Sequence, residues 1–189
     1  ADIYYSSTAY APNTMSVWAP RLIEGEGYTA AKTPTSYGAL AVRGTSDLPV
    51  VDRLLRAFPR TESLPLKETV LKGVRFTGVS GAIPVPFRTR LRWIERRVLE
   101  QMVGLVEESS ILVAHPPPWG TLDEVLGKVH AGCRGIEEIV RKRQPRMLIC
   151  GHIHERPGTA QLGKTLVVNC NMGRRRAGAM IDWNESGEP

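Results

Sequence analysis

Two spacings of apolar residues run along this chain, and the switches between them set the order of elements. "ILVAH" (111–115) and "RMLICGH" (146–152) are continuous apolar runs that predict strands buried on both faces. Between them, "AGCRGIEEIVRKRQP" (131–145) has helical spacing and stops at Pro145. The longest helical pattern is "RTRLRWIERRVLEQMVGLVEESS" (88–110), whose apolar stripe is Leu91, Ile94, Val98, Met102 and Val106. Upstream, "ETVLKGVRFTGVSG" (68–81) predicts two short strands broken at Gly73. "GALAVRG" (38–44) predicts another buried strand. In "SDLPVVDRLLRAF" (46–58), N-cap residues open a helix with Val50, Val51, Leu54, Leu55 and Phe58 at helical spacing. "TAQLGKTLVVNCN" and "AGAMIDW" predict closing antiparallel strands, and residues 1–8 carry a weak strand pattern. Segment 11–37, interrupted by Pro12, Pro20, Gly25, Gly27 and Pro34, reads as loop with one short helix around 14–23.

Strands alternating with helices through the middle, then strands alone, predict an α/β sandwich. No internal repeat or low-complexity linker divides the chain, so a single domain over 1–189 is expected. With 42% hydrophobic and 23% charged residues the composition is that of a globular protein and excludes a disordered one. No run approaches the roughly 18 apolar residues of a membrane span. The N-terminal "ADIYYSSTAY" has neither a basic flank nor an apolar h-region, so no secretory signal is expected. The three cysteines, Cys133, Cys150 and Cys170, are odd in number and lack paired spacing. That pattern suits buried thiols in a reducing, cytoplasmic compartment.

A net charge of +6 invites a nucleic-acid reading. The basic residues fall in three clusters: "RTRLRWIERR" (88–97), "RKRQPR" (141–146) and "RRR" (174–176). The first two lie on or at the end of helical patterns, where Arg and Lys cover a solvated face or complement the helix dipole. The third reads as a turn between strands. No RNP, KH or zinc-finger signature accompanies them. A basic surface that attracts phosphorylated substrates is the simpler expectation, with a nucleic-acid module as the alternative.

The chain has four histidines, and three follow buried-strand patterns: His115 after "ILVA", and His152 and His154 after "MLIC" plus Gly151. Ligands of open α/β sheets collect beyond the carboxyl ends of the strands. If the two strands are parallel neighbours, with 131–145 as crossover, all three rings reach one rim. His152 and His154 point the same way if the backbone stays extended. Nitrogen donors so placed suit one metal ion or two neighbouring ions. Taken singly, a strand-end histidine is more often a hydrogen-bonded residue than a ligand. His130, before Ala131 and Gly132, stands at a helix start, where it either touches substrate or caps the helix.

The series "HPPP" at 115–118, "HAGC" at 130–133 before a helix and "GHIHE" at 151–155 resembles the C-terminal half of calcineurin-like metallophosphoesterases. The similarity extends over roughly residues 38 to 183 and is strongest from 111 to 158. It implies a two-sheet β-sandwich flanked by helices, holding two divalent ions bridged by an aspartate. By the same resemblance His115 and His152 bind one ion and His154 the other. His130 and Asp47 are the candidate catalytic residues, and Thr45, Gly132 and Cys133 the candidate substrate-binding residues. Ions roughly 3.5–4 Å apart would clamp a phosphoryl group and activate water. The implied substrate is a phosphorylated small molecule or a nucleotide.

The family's D-x-H, G-D and G-N strings do not occur in this chain. "VRGTSD" (42–47) aligns with the G-N site, so Thr45 stands at the asparagine ligand and Ser46 where many members carry an acid-base histidine. Asp47 matches an acidic position common in the family. Thr8 and Ala9 stand at the G-D site, and the first strand, with D-x-H, is expected upstream of Ala1. A sheet edge left by that strand is a candidate surface for homo-oligomerisation. Without a bridging carboxylate, the histidines suit a single Zn²⁺ with an open position better than two hard ions. Mn, Zn, Fe or Ni, as one ion or two, are the expected cofactors. Asp47 and Asp123 are candidate carboxylates for the site. The rival expectation is a metallophosphoesterase-fold scaffold that holds no metal and has no activity.

Overall fold

Residues Ile111–Ala114 and Met147–Cys150 lie side by side and parallel, with Ile111 opposite Met147 and Val113 opposite Ile149. The computed structural model describes residues 14–17, 39–42, 50, 53, 57, 61–64, 66–71, 73–79, 92–127, 129–171 and 179–182. In chain order the strands that precede the helix starting at Arg92 are β1 (Thr14–Val17), β2 (Ala39–Ala41), β3 (Thr61–Ser63), β4 (Lys67–Leu71) and β5 (Val74–Val79). Helix α1 (Arg92–Leu105) is followed by β6 (Ile111–Ala114), β7 (Glu124–Val125) and β8 (Val129–His130). Helix α2 (Arg134–Arg143) leads to β9 (Met147–Cys150), β10 (Gly158–Leu162), β11 (Thr165–Asn169) and β12 (Ala179–Asp182).

Among the described residues the principal sheet has six strands in the order β10-β11-β9-β6-β5-β4. Its centre is parallel, and the outer pairs β10–β11 and β4–β5 are antiparallel hairpins. Parallel neighbours need a crossover, and α1 and α2 supply those between β5 and β6 and between β6 and β9. Both helices pack on one face, where Met102, Val106, Ile136, Ile139 and Val140 meet Leu112, Ala114, Leu148, Cys150 and Val167. The opposite face presents Phe76, Ile111, Met147, Ile149 and Val168 to Leu64, Cys170 and Ile181, with Leu40 and Ala179 at the margin. This second layer carries the two small pairs β2–β3 and β1–β12. Two strand layers and a helical layer give the expected α/β sandwich. Side chains two apart on one strand serve opposite cores from their immediate neighbours, which is why β6 and β9 read as unbroken apolar runs.

Helix α2 shows how local sequence fixes an element. Its buried stripe, Ile136, Ile139 and Val140, is worth about 1.5–3 kcal/mol per side chain. Glu137 in the first turn and Arg141, Lys142 and Arg143 in the last complement the dipole. Glu137 pairs with Arg141 and Glu138 with Lys142, each at 2.6 Å, and Arg143 Nε donates to Val106 O at 2.6 Å. The 141–143 cluster is therefore engaged with its own helix and the neighbouring turn. Gln144 ends the helix with φ 47° and donates its side-chain amide to Val140 O.

The structure departs from the sequence expectations at three places. The segment around 14–23 contributes strand β1 rather than a short helix, because Thr14–Val17 pairs in register with Ala179–Asp182; pairing with a distant partner outweighs local preference. β3 and the hairpin β7–β8 are too short to show a period. Within 46–58 the described residues Val50, Arg53 and Ala57 are helical, as expected. The strand expected over 1–8 and the turn at 174–176 lie outside the described residues. No helix among those described is long and apolar enough to cross a membrane.

The three thiols are buried and unbonded to one another. Cys170 Sγ donates to Cys150 O at 3.0 Å and Cys150 Sγ to Val168 O at 3.5 Å. Burial pushes the Cys150 thiol well up, with Cys170 adding to the effect, and pushes Cys170 from the usual 9.0 to about 11. Thiolate is the reactive form, so iodoacetamide at neutral pH is expected to leave both unmodified until urea is added; mass spectrometry checks this. A group whose folded pKa is raised stabilises fully below its unfolded pKa, and that contribution fades as pH climbs to the folded value. Stability is therefore expected to fall between 9.0 and about 11. A Cys170→Ala variant that loses as much over that window as the parent chain would contradict the assignment.

Candidate active site

The register of β6 and β9 brings their carboxyl ends to one rim, and Gly151 N donates to His115 O at 2.9 Å just beyond the last pair. His115 Nε2 and His152 Nδ1 then face each other at 3.0 Å, with ring centroids 4.8 Å apart and planes inclined by 66°. One ring's N–H meets the other's lone pair. Ile153 N donates back to Gly151 O at 2.8 Å, closing a tight turn that holds His152 at φ 70°. A left-handed non-glycine residue costs on the order of 1 kcal/mol and persists only where its surroundings fix it. Because of that turn the backbone is not extended from 152 to 154: Ile153 is buried and His154 is exposed. His154 is still close enough to affect its neighbour. Burial, and next the His154 charge, lower the pKa of His152, against a smaller opposing effect of Glu155. A lowered pKa keeps the imidazole neutral, the form that ligates metals.

The turn is clamped from below by a residue that the sequence pattern did not single out. Asn169, buried at the end of β11, donates Nδ2 to Ile153 O and Arg156 O, both at 2.9 Å, with Leu122 O at 3.4 Å. Its Oδ1 accepts from Asn171 N at 3.1 Å. One side-chain amide thus ties the histidine turn to the loop that leads into β7. An ion pair between Arg156 and Glu124 joins the same two segments on the outside.

Asp123 is the second unanticipated anchor. It is buried, and its Oδ1 lies 2.7 Å from His130 Nδ1. Its Oδ2 accepts from Gly120 N and Gly132 N, both at 3.0 Å. The carboxylate is therefore occupied with the loop and with His130 and does not face the His115–His152 pair as a ligand. Gly132 is required here, since a Cβ would stand 2.6 Å from Pro118 O and 2.7 Å from Asp123 Oδ2. His130 lies in β8 rather than on the helix. The N-cap is Cys133, whose sulfur accepts from Ile136 N at 3.5 Å. Cys133 also exchanges backbone bonds with the loop after His115, donating to Pro117 O at 2.8 Å and accepting from Trp119 N at 3.1 Å. The polar groups of Gly132 and Cys133 that the structure describes thus hold the loop together. Thr45 and Asp47 lie outside the described residues.

Two imidazole nitrogens on one tetrahedral ion with metal–nitrogen bonds of about 2.0–2.1 Å stand roughly 3.3 Å apart. The 3.0 Å separation of His115 and His152 fits two ligands of one ion with little rearrangement. Among the described residues, no group of three or more His, Cys, Asp or Glu side chains gathers into a complete ligand set. The pair fits a divalent ion as part of a site.

Comparison with known proteins gives the class. The profile described as "Metallophosphoesterase, calcineurin superfamily" matches residues 88–184, just over half of the chain. This chain belongs to that family. An uncharacterized protein of Methanocaldococcus jannaschii is 28% identical over 137 residues, 69% of this chain and 62% of the relative. The human metallophosphoesterase domain-containing protein 1 is 39% identical over 77 residues, 40% of this chain and 24% of that protein. The chain therefore spans less than two thirds of these relatives. One solved structure superposes with a TM-score of 0.59 at 22% identity, over 76% of this chain and 61% of its own, and so shares the fold.

Proposed function

We propose that this chain carries the histidine half of a metal-dependent phosphoesterase site acting on phosphate mono- or diesters. The observation that supports the reading most is the 3.0 Å approach of His115 Nε2 to His152 Nδ1 at the ends of adjacent parallel strands. These two would hold one divalent ion, with His154 on the next turn as a further nitrogen donor. Mn, Zn, Fe or Ni, one ion or two, suit such donors, and Asp47 and Thr45 are the candidate partners from the preceding half. A bound ion supplies Lewis acidity at phosphorus and a nucleophile at neutral pH. The chain's own part is placement. The sheet register fixes His115, the Asn169 clamp fixes the His152 turn, and desolvation keeps His152 neutral. The basic surface favours phosphorylated small molecules or nucleotides.

Purified chain is expected to hydrolyse bis(p-nitrophenyl) phosphate in the presence of Mn²⁺, with His115→Ala slowing turnover at least about 100-fold. Release of p-nitrophenol measures it. Turnover no faster than in buffer, or untouched by His115→Ala, defeats the reading. Thr45 at the place of the G-N asparagine, and the lack of a G-D string in the sequence, favour a second reading, a catalytically silent scaffold of the same fold. Elemental analysis separates the two, since a scaffold carries well under one equivalent of metal.

A further inference from the structure

A second arrangement of polar side chains gathers on Trp119, in the loop that begins at His115. Arg134, at the start of α2, stacks its guanidinium over Trp119, Cζ 4.2 Å from the ring centroid. His130 leans on the same indole, with centroids 5.5 Å apart and planes at 46°. Behind His130 stands buried Asp123, which takes up Nδ1 and so fixes which nitrogen looks elsewhere. The His130 side chain is 38% exposed, so Nε2, on the far side of the ring from Asp123, is the nitrogen a ligand can reach.

Arg75, Arg141, Lys142, Arg156 and Lys164 each have a carboxylate partner. Among the described residues Arg134 has none: the two acids that follow it on α2, Glu137 and Glu138, are engaged with Arg141 and Lys142. Stacking on an indole orients a guanidinium while its edge N–H groups stay available for hydrogen bonds. An oriented Arg without a carboxylate partner, sharing one indole with a histidine braced by a buried carboxylate, offers N–H donors to a tetrahedral oxyanion. Trp119 N bonds to Cys133 O and Cys133 N to Pro117 O, so the platform belongs to the loop that begins at His115.

We propose that Arg134 and His130, mounted on Trp119, form a phosphate-binding corner that grips a non-bridging oxygen of the substrate's phosphoryl group. The identity of the ligand rests on the phosphoesterase reading above; the binding itself needs no metal. Arg134 supplies a permanently charged donor, and His130, held at Nδ1 by Asp123, presents Nε2 to the same ligand.

The test is calorimetric titration of the full chain with inorganic phosphate after EDTA treatment, at constant ionic strength. Saturable binding is expected, weakened about tenfold or more by Arg134→Gln and by His130→Gln. Lys142→Gln, which removes an exposed cation already paired with Glu138 on the same helix, is expected to leave it unchanged. Circular dichroism confirms that each variant is folded. Absence of saturable binding in the parent chain, or equal affinity in all four proteins, overturns the proposal. Mn²⁺-dependent hydrolysis reports separately on the histidine pair. Hydrolysis with phosphate affinity indifferent to Arg134 and His130 rejects the corner alone. Variant-sensitive binding without hydrolysis supports the corner and rejects the esterase reading.

Discussion

Replacing Asp123 with alanine is expected to destabilise the fold by about 3–5 kcal/mol, the range found when one member of a buried charged network is removed. The carboxylate is fully buried and accepts from Gly120 N, Gly132 N and His130 Nδ1. Alanine leaves three donors without an acceptor at a place where the chain is packed too tightly to adjust. The backbone oxygen of Pro118 would lie 2.6 Å from any Cβ at residue 132. Asparagine keeps the shape and one acceptor oxygen for the two glycine amides, so Asp123→Asn should cost less, about 1–2 kcal/mol. Urea unfolding followed by far-UV circular dichroism measures both. The midpoint should move and the slope should not, since the surface exposed on unfolding is unchanged. An alanine variant within about 1 kcal/mol of the parent would mean that water replaces the carboxylate without loss.

Asn169→Leu is the second change of that size, with an expected loss of about 2–4 kcal/mol. Leucine branches at Cγ as asparagine does but is bulkier and cannot donate, so the carbonyls of Ile153 and Arg156 lose their 2.9 Å partner inside the protein. Asn169→Asp should be no better than leucine. A carboxylate would aim negative oxygens at carbonyl oxygens and give up its own solvation. The damage should be local as well as global. Hydrogen exchange is expected to speed up across 151–157, at the amides of Gly151 and Ile153 first, while those of β6 and β9 change only with overall stability. Uniform acceleration across the chain would show that Asn169 serves the core and not the turn.

The parts of this structure legible in the sequence are those where one side-chain period extends over several residues. Ile111–Ala114 and Met147–Cys150 are buried on both faces, so their apolar runs showed strands directly, and the stripe Ile136, Ile139, Val140 showed the crossover. From two parallel neighbours, the meeting of His115 with His152 follows from topology alone. His154 shows where that logic stops. A two-residue spacing keeps side chains together only on an extended backbone, and the left-handed His152 removes that condition. Gly151 in the motif signalled a turn, but not its hand. Asp123 and Asn169 were illegible as anchors for another reason. Their partners lie at Gly120, His130 and Gly132, and at Leu122, Ile153 and Arg156, in loops and turns whose course no side-chain period reveals. An acidic residue in a short loop bounded by glycines was the available signal for Asp123, and it registered only as a spare carboxylate. Strand β1 does not show in the sequence, because four residues are too few to oppose the proline- and glycine-rich context around them.

The positive φ at residue 152 makes some replacements there ambiguous and others informative. A valine or isoleucine would lose the imidazole and also resist the backbone shape, so its effects would mix two causes. Glycine accepts that shape without penalty and asparagine nearly so, which leaves the path of the chain intact while emptying the space the ring had filled. Position 152 is therefore a place where the nitrogen donor can disappear and the architecture around it survive.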